Sequence, residues 1–217
     1  MRSLRISPDC KDVASPKGRQ TILKILTAAR DIFIENGYSE FNLKKVSEKC
    51  GLARGNVTYY FPNRDALLQA LLWSVISEYT WDFDHIMART DASAEEKFVI
   101  IVRRITEALG TRETAMFFPE LWALANHSDY AATEMERLYS LARTYLVDLI
   151  AEINPGLKPA DREAVALFVS AALEGQTPFV GYGRIHRKRL PQITNIAASA
   201  LLETVRSISG ADVRGKP

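Results

Sequence analysis

The chain is poor in the residues that metal centres and disulfide frameworks need, with two cysteines and three histidines among 217 residues. Cys10 and Cys50 stand apart, and His85, His127 and His186 are scattered. Neither a disulfide scaffold nor a metal site is expected from such spacing. A G-x-S-x-G elbow is missing, which removes one common nucleophile motif. Gly181-x-Gly183 lacks the third glycine and the preceding strand of a dinucleotide loop. No catalytic residue and no cofactor is assigned, and the reading is that of a protein that is not an enzyme. The longest near-apolar run, Ala164 to Leu173, falls well short of the roughly 20 residues that span a bilayer. Met1 to Pro16 carries charges but no apolar core of the signal-peptide kind. A cytoplasmic protein with no membrane partner is the expectation. Alternation of apolar and polar residues with period two is also lacking, as are internal repeats, so strands are not expected.

What is present is helical periodicity and an uneven charge. Residues 1–65 hold 12 Lys/Arg against 7 Asp/Glu, whereas residues 66–217 hold 16 against 19. A basic end on a mildly acidic body suits a chain that meets phosphate at one end. Residues 1–18 mix charge, Ser and Pro without periodicity and are expected to form a flexible arm, from which Arg2, Arg5, Lys17 and Arg19 could reach a phosphate backbone. From Thr21 to Asn36, Ile22, Ile25, Leu26, Ala29, Ile32 and Phe33 share one helical face, and Gly37 follows where a left-handed cap belongs. A second helix starts after Asn42, buries Leu43, Val46 and Cys50, and closes at Gly51. The third runs from about Ala53 to Phe61 and stops before Pro62. Asn63 then caps a long fourth helix with Asp65 in its first turn. Helical segments follow near 64–88, 93–110, 113–127, 130–154, 160–182 and 191–209. The fold class is all-α: an N-terminal three-helix helix-turn-helix unit over residues 19–65, then a larger helical body over 66–217, for which the resemblance described below implies ligand binding and dimerisation.

On the third helix, Val57 and Phe61 lie four apart and point to the small core, with Ala53 continuing that face. Arg54, Gly55, Thr58 and Tyr59 form the opposite face, and Asn56 and Tyr60 a flank. A glycine within a helix costs about 0.5–1 kcal/mol relative to alanine, which a close approach to a DNA groove would offset. Arg54 suits a guanine edge or a phosphate, Asn56 an adenine or the backbone, and Thr58 and Tyr59 a thymine methyl, base edge or sugar. Tyr60, Arg64, Asn42, Lys44 and Lys45 stand where helix ends would meet phosphate.

The run GYSEFNLKKVSEKCGLARGNVTYYFPNRDALLQAL resembles the signature of the tetracycline-repressor (TetR) family of bacterial regulators. Gly37-Tyr38, Val46, Gly51, Gly55, Tyr60-Phe61, Asp65 and Leu67-Leu68 fit that pattern, and the likeness covers residues 20–72. Phe41-Asn42 replaces the usual Thr pair, Arg64 replaces a usual Lys, and Thr58 and Tyr59 occupy variable positions. The resemblance implies an all-α homodimer that binds a pseudo-palindromic double-stranded operator, and a C-terminal domain that takes a small-molecule inducer. It implies a repressor released by that inducer. The dimer is expected through helices near 160–182, by Ala164, Leu167, Phe168, Ala171, Gly175 and Phe179, and near 191–209, by Ile193, Ile196, Ala197, Ala200, Leu201 and Val205. Trp122, His127, Tyr145 and Gln176 are the candidate pocket contacts. The basic run Arg184 to Arg189 reads as a solvated loop. The alternative is a helical interaction protein, or an enzyme, that keeps the helix-turn-helix only as a packing unit.

Overall fold

The computed structural model describes residues 4–215. Among them there is no strand, and eleven α-helices follow one another. α1 (Pro16–Asn36) starts earlier than its apolar stripe because Ser15 caps it, accepting from the Gly18 amide, and Pro sits in its first turn, where a missing N–H costs nothing. Gly37 ends α1 with φ 75° and ψ 176°, a positive φ but not the left-handed helical cap expected from the sequence. Gly51 does adopt that cap, at φ 63° and ψ 33°, and ends α2 (Leu43–Cys50). At the start of α2 the Asn42 side chain accepts from the Lys45 amide at 3.0 Å. α3 (Arg54–Tyr60) ends at Phe61, whose φ of −131° and ψ of 97° are extended, as the following proline requires. Asn63 accepts from the Ala66 amide at 2.8 Å and caps α4 (Arg64–Met87).

The chain divides into two compact units. The first takes the chain up to Trp81 together with Met116–Met135, and the second takes Asp82–Ala115 and everything from Glu136 on. The first unit therefore runs past residue 65. The apolar positions Leu67, Leu68, Leu71 and Leu72 at the start of α4 are all buried, so this stretch of α4 belongs with the core formed by Ile22, Ile25, Leu26, Phe33, Val46 and Val57. Phe33 is the hub, meeting Phe41 edge-on at 5.8 Å and Phe117 at 5.0 Å between ring centroids. Such aromatic pairs add about 0.5–1.5 kcal/mol each beyond area burial.

Residues 4–15 do not behave as a free arm. They form successive turns (Cys10 amide to Ser7 carbonyl, Val13 to Cys10, Ser15 to Asp12) and bury Leu4. Arg5 lies 4.9 Å over the Trp81 ring, and Lys17 and Arg19 belong to α1. Arg2 lies outside the described residues.

The second unit is built on α5 (Ala94–Ala108), the later part of α7 (Asp129–Ile153), α8 (Pro159–Glu174) and α10 (Leu190–Ser207). Its core holds Phe83, Phe98, Ile101, Leu149, Val165, Val169, Leu201 and Val205. Ser93 and Glu96 form a capping box that opens α5. The break expected at Asn154 is present, and its amide donates to the Val205 and Ile208 carbonyls, each at 2.9 Å, which fastens the end of α7 to the end of α10. α6 (Arg112–Ala125), α9 (Thr177–Val180) and α11 (Gly210–Arg214) complete the chain, α11 being unforeseen. No helix among the described residues is long and apolar enough to cross a membrane.

Candidate nucleic-acid interface

α3 is seven residues long and buries only Val57. Val57 is fully buried and Phe61 nearly so, while Arg54, Gly55, Asn56, Thr58 and Tyr59 are exposed and Tyr60 is half-buried. The apolar pair anchors the helix, and the polar face is turned outward as the four-residue spacing demands. Ala53, placed on the anchoring face by periodicity, is instead exposed at the N-cap, outside the helix proper. A Cβ added at Gly55 would meet nothing within 4 Å. Nothing in the first unit's own packing therefore requires glycine there.

Several outward side chains are already committed. The Thr58 hydroxyl donates to the Arg54 carbonyl at 2.9 Å, which leaves its methyl group free. Tyr59 donates to Asp12 Oδ2 at 2.8 Å, and Lys11 Nζ sits 3.5 Å above its ring. That acceptor, with lesser contributions from burial and from the nearby negative charge, raises the Tyr59 hydroxyl above its ordinary value. Tyr60 meets Tyr59 edge-on at 5.1 Å. Arg64 is held 4.2 Å over the Tyr38 ring. On α2, Lys44 and Lys45 are exposed and paired with Glu48 and Glu40, contacts that are individually weak at a surface. Asn42 is partly engaged: its oxygen caps α2 and one amide N–H donates to the Glu40 carbonyl at 3.0 Å, which leaves a second N–H as a donor.

The four pocket candidates have separate surroundings. His127 is exposed and Trp122 half-buried, both in the first unit. Tyr145, in the second, donates to Asp84 Oδ1 at 2.5 Å. Burial first, then the Asp84 acceptor, pushes its hydroxyl up to about 12. Gln176 has an engaged amide, donating to the Ala172 carbonyl, but a buried Oε1 with no hydrogen-bond partner. Glu174 Oε2 and Thr177 Oγ1 share that condition. The sequence reading noted Glu174 only as a polar residue among the aromatics and did not single out Thr177. Burial pushes the Glu174 carboxyl up to about 7, an effect its bond from Tyr139 only partly opposes.

On the second unit's surface, α8 exposes Ala164, Leu167, Phe168 and Ala171, and Leu167 and Phe168 are more than half exposed. α10 adds exposed Ile196 and Ala200. Two parts of the expected stripes differ. α8 stops at Glu174, so Phe179 is carried by α9, where it is exposed, while Leu201 and Val205 point into the core that holds α5 side chains. In the basic run, Arg187 donates to the Gly110 carbonyl, while Arg184, Lys188 and Arg189 are exposed as expected. Among the described residues no group of three or more His, Cys, Asp or Glu is placed to hold a metal ion.

The fold is thus a helix-turn-helix unit followed by a helical body. Residues 25–71 match the model of the bacterial regulatory proteins of the tetR family. The HTH-type transcriptional regulator UidR of Escherichia coli K12 is 33% identical over 61 residues, 28% of this chain and 31% of its own. The fatty acid metabolism regulator protein of Bacillus subtilis is 24% identical over 86 residues, 40% of this chain and 44% of its own. The chain thus spans less than half the length of either curated relative. Solved structures extend the likeness of fold. A candidate transcriptional regulator of Pseudomonas aeruginosa PAO1 has a TM-score of 0.72 at 16% identity, over 94% of this chain and 98% of that one. The regulator FadR of Bacillus subtilis, in complex with stearoyl-CoA, has a TM-score of 0.64 at 17% identity, over 85% and 97%.

Proposed function

We propose that this protein is a sequence-specific, DNA-binding transcriptional regulator that acts as a homodimer and answers to a small molecule. The observation that carries the reading is the outward face of α3. Its glycine serves no internal contact, and around it stand Arg54, Asn56 and the Thr58 methyl, a set suited to base edges. Lys44, Lys45, Tyr60 and Arg64 would hold phosphate, and residues 19–65 would be the reader. Asn42 would present the start of α2 and offer its second amide N–H to phosphate. The apolar patch of Leu167, Phe168 and Ile196 would be covered by a second copy, giving two readers spaced for a pseudo-palindrome. The helical body from residue 66 would take the inducer and the dimer seam. Repression relieved by the inducer is the expected sense, and stearoyl-CoA, held by the FadR structure, is a first compound to test. Within the body, Gln176, Glu174 and Thr177 are better placed to meet a ligand than Tyr145, whose hydroxyl is already engaged.

The test is selection of duplexes from a random pool, followed by fluorescence anisotropy at several salt concentrations. Regulation predicts a pseudo-palindromic consensus and an affinity that falls steeply with salt as counterions are released. Absence of any selected sequence would favour the packing-unit alternative.

A further inference from the structure

The N-terminal segment touches the face proposed to read DNA, and its chemistry there is specific. Asp12 is held in place from two sides. Its φ of 57° is the one positive value at a non-glycine among the described residues, a conformation that Asp tolerates better than most residues. Its carbonyl lies so close to α1 that a Cβ on Gly18 would come within 2.3 Å of it. The same carbonyl accepts from the Ser15 amide at 3.0 Å. From this seat the carboxylate accepts a hydrogen bond from the Tyr59 hydroxyl at 2.8 Å while Lys11 covers the ring. Tyr59 is nevertheless about half exposed, at 48%.

A tyrosine hydroxyl has one proton to give and lone pairs to offer. With the proton committed to Asp12, only lone pairs face outward. Phosphate oxygens are acceptors too, so Tyr59 has nothing to give them. The exocyclic amino groups of cytosine and adenine are donors displayed in the major groove, and they match what Tyr59 presents. We infer that Asp12 is a positioning residue that converts Tyr59 from a phosphate donor into an acceptor for a base amino group, and so sets part of the sequence preference. This rests on the reading of α3 as the DNA-facing helix.

The experiment compares the affinity of the full chain for a duplex selected by the wild type with that for a scrambled duplex of equal length. Asp12→Ala is expected to lower the ratio by about threefold to tenfold, the worth of one hydrogen bond, chiefly by tightening the scrambled complex. Asp12→Asn keeps an acceptor for Tyr59 and loses the charge, so it should restore the ratio while raising both affinities. Tyr59→Phe should lower the ratio as much as Asp12→Ala, and Asp12→Ala should lower it no further in that background. A ratio unchanged in Asp12→Ala overturns the inference, as does an equal further loss in the Tyr59→Phe background, which would mark Asp12 as a mere support of α1. Wild-type protein that binds no duplex would sink the regulator reading and this inference together, whereas selective wild-type binding with an insensitive ratio sinks only this one.

Discussion

Gly55→Ala should move stability and DNA affinity in opposite directions. Gly55 lies inside α3 and is not among the glycines with positive φ, so alanine can take its backbone conformation without strain. The added Cβ meets nothing within 4 Å, so it neither clashes nor packs. What remains is the helix preference and the lower entropy of the unfolded chain, about 0.5–1 kcal/mol in favour of alanine. For a chain of this size such a gain raises the melting temperature by about 1–4 °C, measurable by differential scanning calorimetry at fixed protein concentration. The new methyl group would stand on the surface proposed to approach the groove. Displacing the helix by part of an ångström would strain several short contacts at once, and a loss of about tenfold or more in operator affinity is expected, on the order of 1.4 kcal/mol. A destabilised variant would refute the open surroundings of Gly55. A stabilised variant with unchanged operator affinity would refute the close approach, and with it the account of why a helix this short carries glycine.

Three further outcomes follow from the same geometry. Arg54→Ala should cost about 1–3 kcal/mol of operator binding and relax preference at one base position if the side chain reads a base, and anisotropy on single-position variants of the selected duplex checks this. An equal loss on every sequence would assign Arg54 to phosphate. Phe168→Glu, at a site 54% exposed on α8, should turn a dimer into a monomer in analytical ultracentrifugation while leaving the helical circular dichroism intact, and persistence of the dimer would remove this face from the seam. Glu174 gives a pH dependence. Its folded value, pushed up by burial to about 7 from 4.5, means that the protonated form stabilises the fold, fully so below the unfolded value, and that this stability is lost as pH rises through 7. Relative to Glu174→Gln, the wild type should lose about 2–3 kcal/mol between pH 5 and pH 8 in urea denaturation. Parallel profiles for the two proteins would show that the carboxyl is solvated.

α2, α3 and the start of α4 were legible in the sequence because their limits are set by neighbours in the chain. Asn42 and Asn63 cap through bonds to residues three positions on, Gly51 supplies a left-handed cap, and Pro62 stops α3 through its effect on Phe61. The same locality explains why Val57 could be assigned inward and Arg54 outward. Asn42 illustrates the boundary of such reasoning. Its cap was foreseen, but the second bond, to the Glu40 carbonyl, takes one of the two amide donors that phosphate contact could use.

Periodicity assigned a stripe to one face but not to one partner. Leu201 and Val205 share their spacing with Ile196, yet they are buried in the core against α5 while Ile196 is 61% exposed. The seam residues could not be told from core residues until the neighbours of α10 were known.

The amino-acid order by itself determined α2, α3 and the start of α4, the caps at Asn42, Gly51 and Asn63, and the split of α3 into a wedged face and an outward one, since these depend on interactions within four residues and on backbone sterics. Only the tertiary structure decided that Asp12, 47 positions away, accepts the Tyr59 hydrogen bond, and that Glu174 Oε2 is buried without a hydrogen-bond partner. Contacts of that kind arise when distant segments pack, and no local spacing announces them.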